Sequence, residues 1–242
     1  MRAPPDPTRF VLMHTSHPGN VGAAARAMQV MGFADLVLVA PRVADIATHP
    51  DALAMASGAL AILERVRVSA TLAEALDGVT YACATAMTPR DFGPPTYAPR
   101  AHFDALAASD HRVAFVFGSE RFGLANEDVY RCHACLSIPT DPAYGSLNLA
   151  QAVQVIAYEW RQAQGGFGVA PRTPERQLAS VDQVQATLAH WERALVAIGF
   201  LDPQAPKKLM PRLNQLVNRA ELADEEINIL RGIARAIEQR KR

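Results

Sequence analysis

Short β-branched apolar runs alternate with helical periods from residue 9 to about 164, and no other feature of the chain narrows its fold as far. The runs are RFVLMHT, DLVLVAP, RVRVSA, VTYACATA, RVAFVFG and ACLSIPT. Between several of them lie NVGAAARAMQVMGF, HPDALAMASGA, TLAEALDG, PRAHFDALAAS and ANEDVYRCH, all with helical character. Strand and helix in that order build βαβ units, so the expected class is α/β with a mostly parallel sheet. Leu149, Val153, Ile156 and Trp160 then fall on one face of a further helix, which is expected to pack on the sheet.

The texture changes after this helix. QAQGGFGVAPRTPERQ, residues 162–177, is rich in glycine and proline and reads as a linker. Three helical stretches follow, roughly 181–199, 206–219 and 223–240, without a strand signal. Ile227, Leu230, Ile233 and Ile237 are expected to form an apolar stripe on the last, with Arg231 and Arg235 elsewhere on its surface. The organisation expected is a sheet domain over 1–164, a linker over 165–180 and a small all-helical extension over 181–242. Three short helices bury little by themselves, so the extension is expected to dock on something.

With half of 242 residues apolar, the chain can build a sizeable core. The formal net charge is zero, so no global field draws it to nucleic acid or to an anionic membrane, and polyanion binding must rest on local patches. Cys83, Cys132 and Cys135 are too few and too scattered for a disulfide framework, which points to a reducing, cytoplasmic setting. The start, MRAPPDPTRF, has no apolar stretch of the signal-peptide kind, and ALAMASGALAIL is too short to span a membrane. Cys132 and Cys135 make a C-x-x-C around His133, but no second ligand pair accompanies them, so buried or near-surface thiols are expected and no metal.

In open α/β sheets ligands bind beyond the carboxyl ends of the strands, which directs attention to four loops. In HTSHPGNVGAAAR, residues 14–26, Gly22 and three alanines allow close backbone packing, and Arg26 lies about one and a half turns into the helix. This is either a capped helix with a surface arginine or a seat for a phosphate. The spacing G-N-V-G-A-A is not G-x-G-x-x-G, and no acidic residue ends the second strand, which argues against a dinucleotide. ATAMTPRDFGPP offers Arg90 among prolines. FGSERFGLAN places Gly118, Glu120 and Gly123 directly after a strand, either as a tight turn or so that backbone can approach a ligand or another segment. In IPTDPAYGSLNLAQAV, residues 138–153, Asn148 and Gln151 have the spacing of a capping pair, with Ser146 as an alternative cap. That account leaves the stiff PTDPAYGS unexplained, whose amides from Ala143 through Leu147 are expected to be free for a ligand. A serine-nucleophile elbow and a Walker loop are both missing.

HPGNVGAAARAMQVMGF, FVFGSERFGLANED and CLSIPTDPAYGSLNLAQAVQVIAYEW resemble, in order and spacing, the three motifs of the SPOUT ribose 2′-O-methyltransferases. LNQLVNRAELADEEINILRGIARAIEQ further resembles the helical extension of the TrmJ subfamily, which methylates the ribose of nucleotide 32 in the tRNA anticodon loop. The resemblance implies a deep trefoil knot, a homodimer whose active site is completed across the subunit interface, S-adenosylmethionine as cofactor and tRNA as partner. By resemblance, Ala84, Thr85, Ala86, Met87, Gly118, Glu120, Ile138, Ser146, Leu147 and Asn148 line the cofactor pocket. Asn20, Arg26, Glu120, Ser146 and Asn148 would carry the chemistry, with Arg26 holding phosphate and stabilising developing alkoxide, because a guanidinium stays protonated in ordinary surroundings. RNA contacts fall to His17, Arg26, Arg90 and Arg121, and in the extension to Lys207, Lys208, Arg212, Arg231 and Arg235, with Arg219, Arg240, Lys241 and Arg242 adding charge. Met87 stands near where many relatives carry arginine, with Arg90 the nearest replacement, and Gly145 where relatives often have serine. The alternatives are a SPOUT enzyme for another tRNA or ribosomal RNA site, and an RNA-binding knot protein without catalysis.

Overall fold

The computed structural model describes residues 6–88, 90–170 and 176–240. It divides into two compact units, Met1–Gly168 and Val169–Arg242. In the first, β1 (Asp6–Met13), β2 (Phe33–Val39), β3 (Arg67–Ser69), β4 (Tyr81–Thr85), β5 (Thr96–Tyr97), β6 (Val113–Phe117) and β7 (Ala134–Leu136) form one sheet in the order β3-β2-β1-β6-β4-β7-β5. Every pairing is parallel. β5 is the one strand that periodicity did not announce: two residues among prolines give no pattern, and backbone bonds from Cys135 to Pro95 and from Ser137 to Tyr97 place it at the edge.

The crossovers are α1 (Pro18–Val30), α2 (Pro50–Ala56), α3 (Leu60–Glu64), α4 (Leu72–Ala75), α5 (Pro99–Ala107) and α6 (Asn126–Val129), and α7 (Leu149–Ala163) follows β7. Successive strand residues point to opposite faces, which sorts the core into two clusters. Phe10, Leu12, Leu36, Leu38, Phe115 and Phe117 pack on one face with α1, α5 and α7. Val11, Met13, Val37, Val39, Ala84 and Val116 pack on the other with Leu72, Leu124 and Val129. On α7, Leu149, Val153, Ile156, Ala157 and Trp160 are buried. Trp160 meets Phe103 and Phe115 edge-on, and its indole N–H donates to Thr8 Oγ1 at 2.8 Å, so the largest core side chain leaves no polar atom unpaired. Gly22 sits where α1 crosses α2, and a Cβ there would fall 2.0 Å from the Ala52 carbonyl oxygen.

The second unit contains α8 (Val181–Ala197), α9 (Leu209–Ala220) and α10 (Asp224–Gln239). Ser180 and Gln183 form a capping box at the start of α8. Residues at the end of the stretch read as linker are tied to this unit: Ala179 N donates to Leu222 O, Asp224 N to Gln177 O, and Arg176 pairs with Glu226 at 2.7 Å. On α10 the buried face runs through Ile227 and Ala234, while Ile233 is 44% exposed, a correction to the expected stripe. The 3.6-residue period reaches position 234 rather than 233 one turn after Leu230. Residues 171–175 of the expected linker, and Lys241 and Arg242, lie outside the described residues. Among the described residues no helix is long and apolar enough to cross a membrane.

Candidate active site

The loops that follow β1, β4, β6 and β7 meet at the carboxyl end of the sheet, as an open parallel sheet requires of its ligand site. Those after β4, β6 and β7 line a cavity of about 330 Å³. Its walls include Thr85, Ala86, Met87 and Arg90 after β4, Gly118 and Glu120 after β6, and Ile138, Gly145, Ser146 and Leu147 after β7. The volume suits one small molecule, at the low end of the roughly 300–1,000 Å³ that ligand pockets occupy.

Each wall has a local cause. Gly118 is required by the turn itself, the first of the two readings open for it: a Cβ there would lie 2.0 Å from the Gly123 carbonyl carbon and 2.3 Å from Leu124 N of the same loop. Gly123 adopts φ +66°, and Ser119 and Gly123 exchange backbone hydrogen bonds of 3.1 and 2.9 Å, so the loop doubles back tightly enough to turn Glu120 toward β1. After β7, Ala143 N donates to Asp141 Oδ1 and Tyr144 N to Asp141 O, which corrects the expected free run of amides. The aspartate turn uses the first two; among the described residues, Gly145, Ser146 and Leu147 keep amides without a protein acceptor.

A chain of hydrogen bonds joins three of these loops. Glu120 Oε2 accepts from Ser16 N at 3.2 Å and Ser16 Oγ at 3.1 Å, and Oε1 accepts from His17 N at 3.3 Å and Asn20 Nδ2 at 3.1 Å. Asn20 Oδ1 accepts from Asn148 Nδ2 at 3.0 Å, and Asn148 Oδ1 accepts from Ala150 N at 2.9 Å. Because an ionised carboxylate only accepts, it dictates which way both amides face. Burial by itself would raise the Glu120 pKa, but the bonds from Asn20, its own amide and Ser16 outweigh it and hold the carboxyl below its usual value of 4.5. Glu120 is therefore an ionised organiser with its lone pairs occupied. Asn148 is the N-cap of α7 and shares a capping box with Gln151, which settles the cap in favour of Asn148 over Ser146.

Not every residue expected here arrives. Ala84 is fully buried in the opposite core cluster, because the strand's two-residue period turns it away from the cavity wall that Thr85 reaches. Asn148 borders the cavity through its hydrogen bonds without lining it. Arg26 is exposed on α1, makes no salt bridge among the described residues and lines neither this cavity nor its neighbour. Arg90 does line the cavity, with its Nε buried and unpaired. The thiols of Cys83, Cys132 and Cys135 are buried, and burial pushes Cys132 up to about 12, which makes them poor nucleophiles. Beside the cavity, His14, Ser16, His17, Arg42, Ser119, Glu120, Arg121 and Phe122 line a second hollow. Arg42, His14 and Phe122 were not anticipated; a lone arginine after a strand and a lone aromatic in a turn carry no periodic or motif signal.

A sequence model of the SpoU rRNA Methylase family matches residues 7–158, and one of the tRNA methyltransferase TrmJ C-terminal domain matches residues 182–242. The chain belongs to the SpoU methylase family, in its TrmJ branch. This SpoU methylase is 44% identical over 242 residues to the tRNA (cytidine/uridine/adenosine-2′-O-)-methyltransferase TrmJ of Pseudomonas aeruginosa, covering 94% of this chain and 92% of the relative. It is 40% identical over 243 residues to the tRNA (cytidine/uridine-2′-O-)-methyltransferase TrmJ of Escherichia coli K12, covering 97% and 96%. The crystal structure of TrmJ from Z. mobilis superposes with a TM-score of 0.80 at 32% identity, covering 96% of this chain and 99% of that one. The residue 7–158 match spans the β1, β6 and β7 loops, so the Glu120–Asn20–Asn148 chain lies within the part of this SpoU methylase that defines the family.

Proposed function

We propose that this chain transfers a methyl group from S-adenosylmethionine to the ribose 2′-hydroxyl of nucleotide 32 in the tRNA anticodon loop. The observation that carries the reading is the cavity of about 330 Å³ where the loops after β4, β6 and β7 meet, in a chain so similar to tRNA 2′-O-methyltransferases. The wall fits a zwitterion bearing an adenine: unpaired amides at Gly145, Ser146 and Leu147 offer donors, Ile138 and Leu149 offer an apolar floor, and Thr85 and Ala86 are small enough for close approach. When bound, the cofactor supplies an electrophilic sulfonium methyl. Met87, Gly118 and Ile138 hold it beside the residues that meet the ribose.

Transfer needs the hydroxyl in line with the methyl and relief of the charge that develops as its proton leaves. Glu120 is unsuited as the base, since four donors already occupy its oxygens. It fixes Asn20, which with Asn148 and Ser146 sets the height of the ribose over the donor. Arg26 binds phosphate and stabilises the alkoxide. Its exposure supports a homodimer in which Arg26 of one protomer completes the cavity of its partner across a knotted interface. Lys207, Lys208, Arg212, Arg231 and Arg235 are all exposed and none makes a salt bridge among the described residues, which supports contact between the helical extension and RNA phosphates. The setting is the cytoplasm, where tRNA resides.

The test is to map methylated nucleosides in tRNA from cells lacking the gene. The reading expects 2′-O-methylpyrimidine at nucleotide 32 to vanish and to return with the gene; an unchanged nucleotide 32 contradicts it.

A further inference from the structure

Resting on that reading, we propose that the ring of Phe122, flanked by the guanidiniums of Arg42 and Arg121, is a stacking platform for an unpaired nucleobase of the RNA substrate. Phe122 is 64% exposed, unusual for a large apolar side chain beside a cavity. Arg121 and Arg42 lie over the ring at 5.2 and 5.6 Å from its centroid, near enough for cation–π attraction, and the side chain keeps its exposure with both in place. Neither forms a salt bridge among the described residues, so both can turn to phosphates while the ring accepts a base. Arg42 is held in place through its own amide, which donates to Thr15 O at 2.9 Å and pins the loop after β2 to the loop after β1.

Position gives the platform its use. Ser119, Glu120, Arg121 and Phe122 line both the second hollow and the proposed donor cavity, so a base on the ring belongs to the nucleotide being methylated or to its neighbour. Most other polar side chains of the hollow are engaged, His14 Nδ1 with Ala40 O, Ser16 Oγ with Glu120, and Ser119 Oγ with Phe122 N, while the His17 ring has no protein partner among the described residues. Few groups remain to read a base edge. Recognition is therefore through the π-face, which every base has, and requires a base free of a duplex stack.

The experiment measures tRNA affinity and transfer kinetics for full-length wild type, Phe122→Leu, Phe122→Tyr and Arg42→Gln. Phe122→Leu keeps apolar bulk and removes the π-face, and should weaken tRNA binding by roughly five- to 150-fold, the range of one base–aromatic stack. Phe122→Tyr should restore it, and Arg42→Gln should weaken tRNA binding and flatten its salt dependence with donor affinity unchanged. Wild-type tRNA affinity in Phe122→Leu overturns the platform. So does dissociation of the dimer by that substitution on sedimentation, which would make this face an interface between copies. Affinity is measured without donor as well, so a wild type that binds tRNA and transfers no methyl overturns the proposed reaction and leaves the platform to be judged by binding.

Discussion

Asn20 and Glu120 lie 100 residues apart, and the amide of one donates to the carboxylate of the other at 3.1 Å. That contact ties the loop after β1 to the loop after β6, and Asn20 passes the connection on to Asn148 at the head of α7. The site is thus positioned by one charged residue whose value depends on its staying ionised.

Replacing Glu120 with Gln should remove that dependence. A hydrogen bond to a charged group contributes about 1.5–3 kcal/mol, so kcat/KM should fall by roughly 10- to 150-fold. The folded-state pKa is depressed, so the stability it contributes is present above the ordinary 4.5 and is lost as pH falls through the lower folded value. Thermal stability followed down through that window should show an acid limb in wild type that is absent in Glu120→Gln. Parallel pH profiles would contradict the role.

Gly118→Ala should prevent the β6 loop from closing, since the new Cβ runs into the Gly123–Leu124 peptide and backbone cannot rotate away as a side chain could. Overpacking of this kind costs about 1–3 kcal/mol or more. Loss of donor uptake together with a lower Tm is the expected outcome, read by calorimetry and thermal melting; a variant that melts and binds like wild type would contradict it.

Asn148 has two duties that substitution can separate. Ala removes the cap, at a cost of about 1 kcal/mol, and also releases Asn20. Ser keeps a cap and releases Asn20 alone, so Asn148→Ser should melt near wild type while transferring methyl more slowly. Transfer by Asn148→Ser at the wild-type rate would locate the residue's value in α7 and not in the site.

Arg26→Ala should abolish transfer and weaken tRNA binding by about one phosphate contact, while donor affinity stays near wild type, because Arg26 lines neither cavity of its own protomer. Mixing Arg26→Ala chains with Gly118→Ala chains should recover part of the activity if the site is shared across the dimer. Full transfer by Arg26→Ala alone would remove it from the chemistry.

In the extension, changing Lys207, Lys208 and Arg212 to Gln should weaken tRNA binding and lower the slope of log K against log salt by about 0.7–0.9 for each phosphate no longer neutralised. An unchanged slope would return these residues to the ordinary solvated surface.

Much of this was legible in the sequence because its signals are periodic or local. Runs such as RVAFVFG and the spacing of Leu149, Val153, Ile156 and Trp160 mark strands and a buried helix face, and Asn148 with Gln151 marks the cap. The misses have physical reasons. β5 is too short to show a period, and Ala84 lies one residue from the wall that Thr85 reaches, a difference set by strand phase. The Asp141 side chain takes the Ala143 amide, and the Phe122 platform depends on Arg42 from a loop 80 positions earlier; both are matters of three-dimensional meeting.

The most direct measurement is calorimetric titration of S-adenosylmethionine into the purified full-length protein, alone and with tRNA. Saturable uptake of one donor per chain, abolished in Gly118→Ala and displaced by S-adenosylhomocysteine, is the predicted result. Absence of uptake under both conditions would contradict the assignment of the cavity, and with it the reaction.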